Sequence, residues 1–229
     1  MTERERYAAG RLTVAKSGST GREDAAKGLI KLGLDKQKDG SIYVPRAYDM
    51  YKPAALAVML HGAGAPVEQG LAILKPYAES FNMIVVAPAA RKYSWDIIAS
   101  SSFGPDVIYL DQALAHVFEH YAIDPAHVAI GGFSDGASYA LSIGLTNGDL
   151  FTHILAFSPG FAYTLQTTGK PAIFVSHGIH DPVLAIDPCS RRFVPLLKQQ
   201  GYNVNYIELN GEHSVPDAIA KRAVDWFLK

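Results

Sequence analysis

The chain is poor in cysteine: Cys189 is the single one among 229 residues. A disulfide framework within the chain is thereby excluded, and a reducing compartment is permitted. Net charge is also scarce, −1 at pH 7, so no strong field recruits nucleic acid or an acidic membrane. No apolar run approaches the length of a membrane span. The opening stretch, MTERERYAAGRLTVAKSGSTG, has no apolar h-region and does not read as a secretory signal. Neither G-x-G-x-x-G after a strand nor G-x-x-x-x-G-K-[ST] occurs, which leaves nucleotide binding unsupported. No internal repeat, low-complexity tract or interdomain linker is visible.

What remains is ordinary globular composition, 48% hydrophobic and 19% charged, in a chain long enough to bury a full core as one domain. Residues 1–27 are polar and are expected to form a loosely held arm, with one short strand over 11–15. Residues 28–229 are expected to form a single domain. Strands are predicted over 28–34 and 41–44, joined by a stretch ending in the turn signal Asp39-Gly40, which implies an antiparallel hairpin at a sheet edge. Apolar runs over 55–60, 83–87, 128–130, 154–157, 172–176 and 204–209 suit buried strands. Helical spacing recurs over 67–80, 105–121, 187–200 and 215–228, and after residue 134. Residues 91–103 read as an irregular excursion, and Asp124-Pro125 as a turn. Strands alternating with helices imply an α/β, mostly parallel, doubly wound sheet.

One stretch organises the rest. Val128–Ala129–Ile130 is followed by Gly132-Phe133-Ser134-Asp135-Gly136 and then by a helical pattern, so G-x-S-x-G stands in the strand–turn–helix setting of a nucleophile elbow. The serine of such an elbow occupies a strained backbone position where neighbouring chains pass close, and glycine is favoured on both sides. A serine needs a base within hydrogen-bond reach and a third group to orient that base. In an open parallel sheet these groups sit at the carboxyl ends of strands. Asp181 and His213 each follow a predicted strand, and the order Ser134, Asp181, His213 is that of the α/β-hydrolase fold. An oxyanion site needs donors already aimed at the oxygen that gains charge. One is expected from the backbone N–H of Asp135, the other from the loop after residue 60, at Ala63 with Gly64 as the near alternative.

Rival readings use the same residues. His177, His180, Asp181 and His213 also form a candidate metal set, which the triad reading outweighs; no metal is expected. Asp187 rivals Asp181 as the acid but reads as a helix cap. Ser158-Pro159-Gly160, where some hydrolases carry the acid, has no carboxylate. His61 is expected to brace the oxyanion loop, His177 to bond to backbone at a strand end, and Cys189 to be a buried helix residue. Trp95, Phe161 and Val183 are candidates for the substrate pocket, Trp95 because it lies on an irregular loop; Tyr163 reads as packing.

The segments LHGAG, GFSDGAS, HGIHDPV and GEHSVP together resemble the serine esterases of the phospholipase/carboxylesterase group within the α/β hydrolases, which includes acyl-protein thioesterase-like enzymes. The resemblance runs from residue 28 to residue 229. It implies an esterase without cofactor or metal, with Ser134, Asp181 and His213 as triad and Ala63 and Asp135 as oxyanion donors. The residue after the serine is often glutamine in the thioesterase branch and is Asp135 here. Dienelactone hydrolases share the architecture but use cysteine, so Ser134 argues against that branch. Only residues 158–170 separate Phe157 from Pro171, which leaves no room there for a large helical lid. The expected activity is therefore a serine carboxylesterase with an open cleft, acting on short- to medium-chain esters. An acyl thioesterase and a non-catalytic binding module on the same scaffold are the alternatives. The expected partner is a small-molecule ester, with no nucleic acid and no membrane span; homodimerisation is left open. The expected location is the cytoplasm.

Overall fold

The computed structural model describes residues 2–16 and 20–229. Eight strands form one sheet: β1 (Gly28–Lys31), β2 (Ser41–Val44), β3 (Ala54–Leu60), β4 (Met83–Ala87), β5 (Ile123–Phe133), β6 (His153–Phe157), β7 (Ala172–Gly178) and β8 (Val204–Leu209). Their order is β1-β2-β4-β3-β5-β6-β7-β8. β1, β2 and β4 pair antiparallel, and every pairing from β4 through β8 is parallel. The mostly parallel sheet with an antiparallel N-terminal edge is the architecture expected from the sequence.

β3 shows why the centre of the sheet is apolar throughout. All seven of its residues are buried, because helices cover both faces. Leu56, Val58 and Leu60 join one core with Val107, Leu110 and Leu114 of α4 (Pro105–His120), Ala140 and Ile143 of α5 (Asp135–Thr146) and Phe193 of α6 (Ser190–Gln199). Ala57 and Met59 join a second core with Leu71 and Leu74 of α2 (Val67–Leu74) and Val224 and Phe227 of α7 (Asp217–Phe227). Truncating any of these buried leucines to alanine costs about 2–5 kcal/mol. The chain passes from β3 to β4 on one side and then to β5 on the other. The crevice above the carboxyl end of β3 is therefore a topological switch point, where such sheets bind ligands.

Several boundaries depart from expectation for local reasons. The helix predicted over 67–80 ends at Leu74 and continues as a 3₁₀ turn, Lys75–Tyr77, because Pro76 has no N–H to extend an α-helix. α6 begins at Ser190 rather than 187, with buried Cys189 at its N-cap; Asp187 pairs with Arg191 instead of capping. β5 starts at Ile123, and Asp124-Pro125 is an irregularity inside it where the register against β3 shifts. The N-terminal arm is not loose over its described residues. Helix α1 (Glu3–Ala8) docks through Tyr7 Oη on Asp111 at 2.8 Å, Leu12 N–H donates to Asn147 Oδ1 at 2.9 Å, and Arg11 pairs with Asp149. Residues 11–16 form no strand; Thr13 and Val14 spend their backbone N–H groups on the Asp111 carboxylate instead.

Candidate active site

Ser134 caps the N-terminus of α5 with φ 58° and ψ −122°, a region that side chains rarely occupy. Its N–H donates to Phe157 O at 2.9 Å, which ties the turn to β6. The flanking glycines are dictated by crowding. A Cβ on Gly132 would lie 2.6 Å from the Gly136 carbonyl carbon, and one on Gly136 would strike the Leu60 and His61 carbonyl oxygens. The elbow thus presses directly on the end of β3, and Gly62 of the following loop faces Ser134 closely enough that a Cβ there would stand 3.5 Å from the serine Cβ.

That loop is pinned from several sides. Gly62 N–H donates to Gln69 Oε1 at 2.8 Å, Gly64 N–H to Tyr93 O at 2.7 Å and Ala65 N–H to Gly62 O at 3.2 Å. Ala63 N–H enters no hydrogen bond among the described residues. Gly64, the near alternative for an oxyanion donor, has therefore already committed its N–H. His61 is buried and accepts from Ala90 N–H on Nε2 at 3.1 Å, so its proton stands on Nδ1, which donates to Gly62 O at 2.7 Å. Burial pushes the His61 pKa down and favours this neutral form. The Asp135 N–H is at the first helical position, where no intrahelical acceptor exists. Its carboxylate accepts from Ser94 Oγ at 2.5 Å.

Asp181 and His213 meet. Their loops are laced together by Ile179 N–H to Leu209 O at 2.8 Å and His180 N–H to Gly211 O at 3.0 Å. Asp181 is wholly buried at its side chain. Its Oδ1 accepts the N–H groups of Val183 at 2.9 Å and Leu184 at 2.8 Å, and its Oδ2 accepts from His213 Nδ1 at 2.6 Å. Burial works to raise the Asp181 pKa, but the hydrogen bonds from His213, Leu184 and Val183 outweigh it and hold the carboxyl below its ordinary range. With Nδ1–H committed to the acid, His213 Nε2 is the lone-pair nitrogen. The imidazole lies against Phe133, ring centroids 4.6 Å apart, one residue from Ser134. Among the described residues no hydrogen bond joins Ser134 Oγ to His213; such bonds often tighten only when substrate is bound.

The pocket candidates separate. Trp95 is 1% exposed, stacked on Tyr139 with centroids 5.1 Å apart, and its Nε1–H donates to His61 O at 2.9 Å. It is a core residue under the 61–65 loop rather than part of a cleft wall. Its segment, which carries the short helix α3 (Asp96–Ser100), is clamped to the start of α4 by two buried carboxylates: Asp106 accepts the N–H groups of Arg91 and Asp96, each at 2.6 Å, and Asp96 accepts that of Asp106 at 3.0 Å. Phe161 is half-buried, and Val183 is exposed beside Asp181. Residues 158–171 contain no helix. A cavity of about 670 Å³ lies beside the 61–65 loop, lined by Gly64, Pro66, Tyr93 and several lysines; no triad candidate lines it. His180 bonds to Asn210, and among the described residues no three His, Cys, Asp or Glu side chains are grouped to hold a metal ion. Sequence reasoning missed Gln69, Ser94 and the Asp96–Asp106 pair, whose hydrogen-bond partners lie 7, 41 and 10 positions away outside any shared helix or strand.

A sequence profile described as phospholipase/carboxylesterase matches residues 106–226, more than half of the chain. No curated protein matches it. Among solved structures, esterase PE8 is similar at 21% identity over 82% of this chain and 96% of its own, with a TM-score of 0.67. The S-formylglutathione hydrolase FrmB of Staphylococcus aureus is similar at 16% identity over 92% of this chain and 100% of its own, TM-score 0.71. The Bacillus cereus carboxylesterase is similar at 18% identity over 84% of this chain and 94% of its own, TM-score 0.62. At these identities the likeness is one of fold, the α/β-hydrolase fold.

Proposed function

The chain belongs to the phospholipase/carboxylesterase family, hydrolases of ester bonds, and from that premise we propose that it is a serine carboxylesterase working through an acyl-enzyme on Ser134. Ser134 Oγ attacks the ester carbonyl while His213 Nε2 takes its proton. His213 then delivers that proton to the leaving alcohol, and water, activated by the same imidazole, releases the acid. Asp181 holds the His213 tautomer and stabilises the imidazolium. The oxyanion is met by the N–H groups of Asp135 and Ala63.

One observation carries this reading. A serine in left-handed backbone at a strand–helix turn directly follows Phe133, whose ring packs 4.6 Å from an imidazole, and that imidazole's Nδ1 is bonded at 2.6 Å to a buried carboxylate. The free N–H of Ala63 supports its assignment as second donor. The helix-free connection over 158–171 supports an open cleft and short- to medium-chain acyl groups. Nothing in the site calls for a cofactor. The lone, buried Cys189 suits a cytoplasmic setting, and no helix is long and apolar enough to cross a membrane among the described residues.

A chain-length series of p-nitrophenyl esters, with matched thioesters alongside, tests the proposal. Turnover should favour short and medium oxygen esters and fall by about 10⁴-fold or more in Ser134→Ala. Higher turnover of the thioesters would move the assignment to a thioesterase. No turnover, together with no labelling of Ser134 by an organophosphate, would mean an idle scaffold.

A further inference from the structure

Behind the catalytic carboxylate stands a second imidazole. His177, near the end of β7, is 0% exposed. Its Nε2 lies 2.7 Å from Leu184 O, an oxygen that only accepts, so Nε2 carries the proton. Nδ1 is then the acceptor and takes the Ser190 Oγ–H at 2.6 Å. The same Nε2 is 3.3 Å from Asp181 Oδ2, the oxygen that His213 also uses. Leu184 closes the ring: its carbonyl is held by His177 and its N–H holds Asp181 Oδ1. Ser190, also fully buried, fixes the imidazole from the start of α6.

We propose that His177 is a positioning residue for the reaction: as a neutral Nε2–H tautomer locked by Ser190, it shapes the 181–184 loop around Asp181 and shares Asp181 Oδ2 with His213. The inference rests on the triad reading above. It goes beyond a packing role, because a hydrophobic replacement of the same volume would fill the space but release both Leu184 O and one side of the carboxylate. The groups that face His177 are Asp181 and His213 at the same rim, Ser190 from the start of α6, and Glu208, its register partner on β8, whose charge is met by Arg191. Burial lowers the His177 pKa and keeps the ring neutral, so it puts no second cation beside His213.

The test compares wild type, His177→Leu, His177→Gln and Ser190→Ala. Thermal melts establish folding. Esterase kinetics follow kcat and KM across pH, and the ring C–H resonances of His213 are titrated by NMR. In His177→Leu, kcat should fall roughly 10²-fold through misplacement of the acid, with KM little changed. Loss of one donor to Asp181 leaves more of its charge for the His213 imidazolium, so the His213 midpoint should move to higher pH. His177→Gln, whose side-chain N–H₂ again reaches Leu184 O, should recover most of both. If His177→Leu does not fold, Ser190→Ala decides, with the same direction and a smaller size. A folded variant with wild-type kcat, or with an unmoved His213 midpoint, overturns the proposal. A wild type that turns over no ester refutes the triad reading instead, while the NMR titration still decides whether His177 controls the Asp181–His213 pair.

Discussion

Asp181→Asn replaces a single oxygen by NH₂ and should abolish most of the activity, for a reason visible in the hydrogen bonds. Oδ1 of Asp181 is pinned by the N–H groups of Val183 and Leu184. The asparagine oxygen must take that place, since its NH₂ group would face two donors there. The NH₂ is then forced into the Oδ2 position, 2.6 Å from His213 Nδ1. Two donors cannot share that contact, so His213 moves its proton to Nε2, the nitrogen that accepts the proton of Ser134 in the proposed mechanism. The wrong tautomer in an otherwise intact triad costs about 10⁴ in kcat, or about 5 kcal/mol of barrier. KM should change little, because Asp181 is fully buried and out of reach of substrate. The assay is steady-state hydrolysis of p-nitrophenyl butyrate, with organophosphate labelling of Ser134 as an independent measure of nucleophile activation. Asp187→Asn, on an exposed residue paired with Arg191, is the control and should behave as wild type. An Asp181→Asn enzyme within about tenfold of wild-type kcat would refute the reasoning.

Further predictions concern the scaffold. Trp95→Ala should lower stability by about 3–5 kcal/mol, seen in urea melts, because it opens a void beside Tyr139; a shift in chain-length preference with unchanged stability would return Trp95 to the cleft wall. Gly136→Ala drives a methyl group into two backbone carbonyls of residues 60 and 61, and should destabilise by about 1–3 kcal/mol or prevent folding; wild-type stability by calorimetry would contradict this. Burial foremost, and the charge of Asp96, raise the Asp106 pKa from 3.8 to about 6. The folded state therefore keeps a proton that the unfolded chain releases; this contribution is fully present below about pH 4 and is lost as pH rises to about 6, a change of about 3 kcal/mol. Denaturant melts across that window should show the decline in wild type and a flatter profile in Asp106→Asn; parallel profiles would exclude Asp106 as the source.

The amino-acid sequence by itself determined the strand and helix alternation, the elbow at Ser134 and the chain order of serine, acid and histidine. Each is written in short-range terms: apolar period, turn glycines, and the rule that parallel strands present their carboxyl ends on one edge. Tertiary structure alone decided which groups are already used. Gly64 stood as the near alternative to Ala63 until Tyr93, 29 positions away, claimed its N–H. Trp95 looked like a cleft residue because its segment is irregular, yet the Asp96–Asp106 clamp folds that segment into the core. The arm over residues 2–16 looked loose because it is polar, and it is those polar groups that bind Asp111, Asn147 and Asp149. In each case the deciding contact joins residues that no helical or strand period relates. Local patterning records whether a residue prefers to be buried, whereas hydrogen-bond partners are assigned only when the elements pack.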